Sequence, residues 1–546
     1  MASDKNQNYL HGAAILTVAV VVVKLMGFLY KIPMGNILDD EGYGLFQVAY
    51  NLYGVILALS TAGLPVAVAR LISEANNLEK PVQVKRIFSV AIGAFVVLGA
   101  AGSLAMLIWP TELAIFMQDV RASQSIMALA PSILICCVMS AFRGYSQGLS
   151  DMRPTAVSQV IEVGVKVIFG IGMLLIFRSM GKSSAVMSAG ATSGVAVGSL
   201  AACIYIGVLV VKRARTESAR YEGRAFDDSA EGSGRVLKNL VKIGVPIALG
   251  SCVFAVIALV STKIILARLQ NGLGLGEESS MQLFGVYSKA QTLYNLPTAI
   301  ITPLTVSVIP ALSGCLITRR HSEAKEVISS SMRISAIITL PMAVGLSVLA
   351  APIMNGLYYG SNVAGGGLLA IMGASSFFLC LALMMQAILQ ASGKERLPVT
   401  AMLIGAAATV GVQWVLVGKP EVGIYGAPIG ILICNLIMFG LNLLFIMTKL
   451  DNRPSIGQVF LKPLVNSLVM GALAWLIYPA VLGILGAGDD PTRMETLIAL
   501  VAAVGVAAAA YIVLTIITRA ITMEDMRLIP KGEKLAKLLR VYTPKH

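Results

Sequence analysis

Long apolar runs follow one another along almost the whole chain, and they limit what it can fold into. Fourteen runs of predominantly apolar residues lie at about 11–37, 44–72, 87–109, 124–148, 154–177, 185–211, 240–269, 281–312, 333–356, 367–391, 398–417, 424–448, 463–484 and 496–518. Each is near the roughly 20 residues that an α-helix needs to cross the hydrocarbon core of a bilayer. In hydrocarbon every backbone N–H and C=O must find its partner inside the chain, so an apolar span is a helix or part of a closed barrel. Runs of this length are helices. Of the 546 residues, 57% are hydrophobic and 13% charged, and the mean hydropathy is +0.81. A soluble chain is nearer to about 25% charged. These figures predict an all-α polytopic membrane protein with 14 transmembrane helices.

The first run is too long for a signal peptide and lacks a small-residue cleavage site, so it reads as a span. Pro33, Pro65, Pro246, Pro297 and Pro303 fall inside spans, where each removes a helical hydrogen bond and predicts a kink. The seven Cys lie in or beside apolar runs without a CxxC pair and are expected to be reduced, buried thiols. Three His leave almost no material for zinc or imidazole chemistry. No catalytic residue and no metal site is predicted.

The net charge of +14 could suggest nucleic acid, but the longest polar stretch, 212–238, is too short to be a binding domain. The charge is instead explained by topology. With the N-terminus in the cytoplasm, 29 of the 42 Lys and Arg fall in cytoplasmic segments. Five fall in outer loops: Arg121, Arg178, Lys182, Lys419 and Arg493. The outer loops also hold 11 acids, among them Asp39, Asp40 and Glu41. This positive-inside bias predicts an N-in/C-in protein with an even number of spans.

Eight cations are left inside the spans: Lys24, Lys31, Arg70, Arg143, Lys166, Lys263, Arg268 and Lys289, against one acid, Glu162. A charge at the centre of a bilayer costs about 2.5–3.5 kcal/mol on insertion scales. Arg70, Arg143 and Arg268 lie near span ends and can snorkel to the interface as anchors. Glu162 precedes Lys166 by four residues, the favourable order for an ion pair on one helix face; a direct ligand role is the other reading of Lys166. Lys24, Lys166, Lys263 and Lys289 lie deep, and Lys31 at intermediate depth on the same face as Lys24. One acid cannot neutralise them all, so an anion-binding, water-filled cavity is expected.

The stretch from Gly44 to Tyr53 aligns with that from Gly285 to Tyr294 at an offset of 241, with Gly, Ala, Leu and Tyr coinciding. Lys24 then corresponds nearly to Lys263, and Gln147–Pro154 to Gln390–Pro398. An offset of six spans preserves orientation, so the repeat is parallel. The expected organisation is an N-terminal lobe (1–212), a cytoplasmic basic linker (213–239), a C-terminal lobe (240–448), two further spans (449–518) and a basic tail (519–546). Met523 to His546 could lie as a helix on the inner leaflet or extend as a free tail. Two six-helix lobes with a cation-lined cavity between them predict alternating access about a midplane site.

Three stretches are similar to a known family: Lys24-Leu-Met-Gly-Phe-Leu-Tyr-Lys31 with Gly42 to Phe46; Phe142 to Gly148 with Met152 to Ala156 and Ser158 to Glu162; and Tyr287 to Pro297 running to Ile309–Ser313. The chain resembles the SpoVB- and MurJ-like polysaccharide-exporter family of the multidrug/oligosaccharidyl-lipid/polysaccharide (MOP) flippase superfamily. The resemblance implies transport of an undecaprenyl-diphosphate-linked cell-wall precursor, first of all lipid II, across the bacterial cytoplasmic membrane. It implies that Lys24, Lys31, Lys263 and Lys289 meet the substrate diphosphate. Lys24 and Lys289 stand where the family pattern has arginines, and Lys31 lies within one residue of another. Lys replaces Arg at these places, and Leu57 lies where that pattern has an Arg on span 2; Lys binds phosphate as a point charge without the bidentate fork. An essential outer acid of such proteins could correspond to Asp39 or Glu41, although an ordinary outer-loop role is the simpler reading.

The expected partners are the lipid-linked sugar diphosphate, the bilayer and the cell-wall synthesis machinery; no cofactor and no nucleic acid are expected. No GxxxxGK[ST] phosphate loop is present, and the membrane potential or a monovalent cation could drive transport instead. Competing readings are an exporter of capsule or teichoic-acid precursors, a drug/cation antiporter of the MATE type, a polyprenyl-linked glycosyl ligase and a non-transporting scaffold. The antiporter wants cavity carboxylates, and the ligase wants catalytic acids, His or a large outer loop. The topology is tested with cysteine-free protein. Lys182→Cys should react with an impermeant maleimide on intact cells, and Ala225→Cys only after permeabilisation; the opposite pattern would reverse the orientation.

Overall fold

The computed structural model describes residues 2–61, 63–221, 231–361, 363–450, 453–454, 456–488, 491–521 and 525. Among them are eighteen α-helices and no strand. They are α1 (Ala2–Ile37), α2 (Asp40–Thr61), α3 (Leu64–Asn77), α4 (Pro81–Ile108), α5 (Pro110–Phe116), α6 (Ser123–Gly148), α7 (Arg153–Ser179), α8 (Ser184–Tyr221) and α9 (Ser233–Ala267). There follow α10 (Glu277–Tyr294), α11 (Leu296–Ile317), α12 (His321–Val348), α13 (Ala350–Leu357), α14 (Ala364–Ala391), α15 (Arg396–Leu416), α16 (Gly426–Lys449), α17 (Ile456–Ile484) and α18 (Arg493–Ile517). Fourteen helical stretches among the described residues are long and apolar enough to cross a membrane, as the apolar runs predict. Large side chains such as Val97, Ile168 and Val501 point outward, which suits a hydrocarbon solvent and not water.

The prolines act in two ways. Pro33, Pro246 and Pro303 lie inside continuous helices. Pro65 and Pro297 instead stand in the first turns of α3 and α11, where the missing N–H is not needed and the fixed φ suits a helix start. Two apolar runs are therefore each built from two helices. At α18 the start is set by a capping box: the Glu495 N–H donates to the Thr492 hydroxyl, and the Thr492 N–H donates to the Glu495 carboxylate. Two backbone donors that the first turn leaves without helical partners are satisfied in this way.

The basic linker is less open than a loop. α8 continues to Tyr221 and α9 begins at Ser233, because the Lys-, Arg- and Ala-containing flanks are good helix formers; residues 222–230 lie outside the described residues. So does the tail 523–546 apart from Asp525, which is buried and takes hydrogen bonds from Arg333 and Ser330 of α12.

Contacts divide the chain into two compact units, Met1–Ala267 with Gly276–Gly285, and Arg268–Leu275 with Val286–His546. This partition follows packing, whereas the boundaries at 212 and 240 follow the repeat. In the first unit α7 packs on α8 and α1, and α6 on α8, α4 and α2; α9 lies against α2 and α3. In the second, α14 packs on α12, α16 and α11, α15 on α16, and α17 on α12 and α18. Each unit carries buried apolar clusters, one around Tyr30, Met34, Tyr43 and Phe46, another around Ile328, Met332, Met385 and Ile446.

The repeat-related glycines meet in the first unit. A Cβ on Gly44 of α2 would lie 2.6 Å from the Met281 carbonyl oxygen of α10, and one on Gly285 would strike the Asp40 carbonyl. The backbones touch because neither position carries a side chain, a packing that small residues allow between membrane helices. Gly44→Ala or Gly285→Ala should each destabilise the protein by about 1–3 kcal/mol, read as a lower Tm in detergent. Gly314→Ala, with open space around its Cβ, should leave Tm unchanged.

Candidate functional site: the intramembrane cations

Glu162 decides how the cations are arranged. Its carboxylate turns from α7 toward α6 and α8: Arg143 Nη2 donates to Oε2 at 2.9 Å and Ser199 Oγ to Oε1 at 3.2 Å. Arg143 Nε also donates to Ser158 Oγ at 3.0 Å. The two charged side chains are only 16% and 23% exposed. Behind Ser199 the network continues through Cys136 Sγ, 3.3 Å away, to the Tyr53 hydroxyl at 3.5 Å. The ion pair expected between Glu162 and Lys166 is therefore not formed, and Arg143 is an ion-pair partner instead of an interfacial anchor. Charge-assisted bonds from a guanidinium that also reaches Ser158 hold the carboxylate better than one ammonium a turn away. Arg70 does behave as a surface group: it is 64% exposed and pairs with Glu74, a contact worth about 0–1 kcal/mol.

Lys166 instead rests between aromatic faces. Its Nζ is 5.6 Å from the Tyr30 ring centroid and 5.2 Å from that of Tyr50. Tyr30 is held by a 3.2 Å bond from its hydroxyl to the Ala191 carbonyl, and Tyr50 stacks on Phe46 at 5.5 Å. Each cation–π contact is worth about 0.5–2 kcal/mol. Lys24 and Lys31 are partly buried on α1. α1 runs beside α7, with Met26 nearest Gly164 and Tyr30 against Gly170. Three lysines thus belong to one helix pair.

Lys263 lies near the middle of the helical stretch Cys252–Gly272, since α9 passes without a break into the turn Arg268–Gly272. It is four residues from the end of α9, and its Nζ lies 3.4 Å from the ring centroid of Phe116, the last residue of α5. The adjacent Thr262 accepts a 2.8 Å bond from Asn51 of α2. Among the described residues, no carboxylate lies within ion-pair distance of Lys31, Lys166 or Lys263.

Arg268 and Lys289 belong to the second unit. Arg268 opens a π-helical turn, Arg268–Gly272, and its guanidinium carbon lies 5.0 Å from the Trp414 ring centroid and packs against Gly418. Lys289 is 3% exposed, with Nζ 5.5 Å from the Tyr358 ring centroid. Of the outer acids, Asp39 accepts from the Gly42 N–H and from Ser184 Oγ, both at 2.7 Å. Glu41 pairs with Arg121, which is also forked onto Asp119. Both acids therefore hold helix starts and loops together.

The aromatic partners were not anticipated from sequence. The spacing of Tyr43, Phe46, Tyr50 and Tyr53 on one face of α2 is the signal that could have shown Tyr50; the others carry none. As a chemical surface, the first unit offers ammonium groups on tyrosine and phenylalanine faces, with its intramembrane carboxylate already occupied: it suits an anion. Glu162→Gln should destabilise the protein by about 2–4 kcal/mol. In double-mutant cycles read by Tm, Glu162 should couple to Arg143 and be additive with Lys166.

Residues 9–316 match the model of a family described as polysaccharide biosynthesis protein. Among curated relatives from Bacillus subtilis (strain 168), the uncharacterized membrane protein YabM is 27% identical over 97% of this chain and 96% of its own. Stage V sporulation protein B is 27% identical over 78% and 81%, and the lipid II flippase MurJ 22% identical over 92% and 94%. The fold is that of a solved lipid II flippase MurJ in an inward closed conformation, with a TM-score of 0.67 and 15% identity over 92% of this chain and 98% of that one. It is also similar to an inward-facing multidrug resistance MATE family transporter of the MOP superfamily, with a TM-score of 0.63 and 16% identity over 79% and 97%. With more than half of its length matched by the family model, this multi-pass membrane protein belongs to the polysaccharide biosynthesis protein family.

Proposed function

We propose that the protein flips an undecaprenyl-diphosphate-linked cell-wall precursor, with lipid II the first choice, from the inner to the outer leaflet of the bacterial cytoplasmic membrane. The observation that carries this reading is the state of the charges in the first unit: the carboxylate of Glu162 is bonded to Arg143, while among the described residues Lys31, Lys166 and Lys263 have no acid within ion-pair distance. A cargo that enters such surroundings is an anion. The name of one relative, a lipid II flippase, supports the class of cargo. A MATE-type exchange of cations would need a free carboxylate, and the likeness to that transporter concerns the fold alone.

Lys24 and Lys31 form the first contact with the diphosphate, Lys263 a later one, and Lys289 one that requires the Tyr358 face to open. The isoprenoid tail stays in hydrocarbon while alternating access moves the headgroup. With the N-terminus inside, the membrane potential favours export. Each elementary charge crossing 100 mV is worth about 2.3 kcal/mol, so a dianion crossing the full field gains about 4–5 kcal/mol. An exporter of capsule or teichoic-acid precursors would use the same lysines, since the diphosphate is common to all of these cargoes.

The test is rescue of a strain depleted of its lipid II flippase, together with lipid II translocation in vesicles. Lys24→Ala and Lys31→Ala should each lower translocation by about tenfold or more, as loss of a charge-assisted bond worth about 1.5–3 kcal/mol implies. Lys263→Ala and Lys289→Ala should lower it less. Full activity in all four variants would overturn the cation site. Rescue of a capsule or teichoic-acid exporter strain, without rescue of the flippase strain, would move the cargo to those precursors.

A further inference from the structure

We infer that Lys166, held on the faces of Tyr30 and Tyr50, is a direct ligand of the substrate diphosphate and forms with Lys24 and Lys31 a three-lysine ladder along α1 and α7. The inference rests on the flippase reading and adds to it a ligand on α7, one of the two roles that the sequence left open for Lys166.

Three observations carry it. First, Glu162 is taken by Arg143 and Ser199, so the acid on the same helix does not neutralise Lys166. Second, the ammonium of Lys166 meets only the two ring faces among the described residues. A ring face attracts the charge but cannot accept three N–H bonds along their own directions. The residue is only partly buried. Third, Lys31 and Lys166 belong to the packed helices α1 and α7, and the ring that carries the Lys166 ammonium is that of Tyr30, the residue next to Lys31. Two like charges are held together in an apolar span at a cost, and an anion with several oxygens removes it by bonding to both. A diphosphate has that form.

The register agrees. α1 and α7 run in the same direction, since Met26 lies nearest Gly164 and Tyr30 beside Gly170. Lys24 and Lys31 are about 10 Å apart along the helix axis. Lys166 falls between the levels of Gly164 and Gly170, hence between the two α1 lysines.

The test uses the full chain in phosphatidylcholine nanodiscs, titrated with farnesyl diphosphate. Wild type, Lys166→Met, Lys166→Arg and the loop control Lys182→Met are compared. Lys166→Met should raise Kd by about tenfold and flatten its dependence on salt, while Lys166→Arg and Lys182→Met should stay near wild type. Lys166→Gln replaces Lys166→Met if the latter is not monodisperse. Inorganic pyrophosphate should compete, since the headgroup is what Lys166 holds. Phosphatidylglycerol should not, and competition by it as strong as by farnesyl diphosphate would assign the site to bilayer lipids and overturn the inference. If wild type binds and both Lys166→Met and Lys166→Gln bind equally well, Lys166 is not a ligand and the flippase reading stands. Absence of binding by wild type removes both.

Discussion

An ionised side chain between membrane helices needs a partner, and in the first unit the single carboxylate that the apolar spans provide is the scarce partner. It goes to Arg143, with Ser158 and Ser199 completing the set. That choice ties α6, α7 and α8 together and passes through Cys136 to Tyr53 of α2. It also determines what the lysines do. Without an acid, the positive charges of Lys166 and Lys263 settle on the faces of Tyr30, Tyr50 and Phe116, where the ring quadrupole compensates part of the lost hydration. A cation stabilised in this way keeps its N–H donors for a ligand, which a cation in a salt bridge does not.

The aromatic residues therefore serve packing and electrostatics together. Tyr30 is a buried core residue bonded to Ala191, and its face is also one wall for Lys166. Tyr50 lies at the edge of the same cluster and stacks on Phe46. The close approach at Gly44 and Gly285 is the complementary device: where no side chain stands, backbones meet. The helix restarts at Pro65 and Pro297 permit a change of direction within an apolar run, because the new helix needs no N–H at its first positions.

The number of spans was legible because hydropathy is a local property that adds up along the chain, and no partner is needed to read it. The lysines themselves were legible for the same reason: a Lys in an apolar run stands out. Their surroundings were not. Glu162 and Lys166 are correctly placed on one helix face, yet the competing partner Arg143 comes from another helix and offers a guanidinium fork. Lys263 stands out in its apolar run, yet nothing local shows that its ammonium rests on Phe116 of α5. Asp525, buried on Arg333 and Ser330 at a separation of 192 and 195 residues, carries no local signal at all.

The sequence by itself determined that this is a helical membrane protein of fourteen spans with an excess of cations inside them, because bilayer thickness and backbone hydrogen bonding leave an apolar chain no other solution. Only the tertiary structure decided which cation takes the carboxylate, which lie on aromatic rings, and which are closed off like Lys289. Those outcomes depend on distances of a few ångströms between helices far apart in the chain, and electrostatic attraction between close groups is settled on that scale.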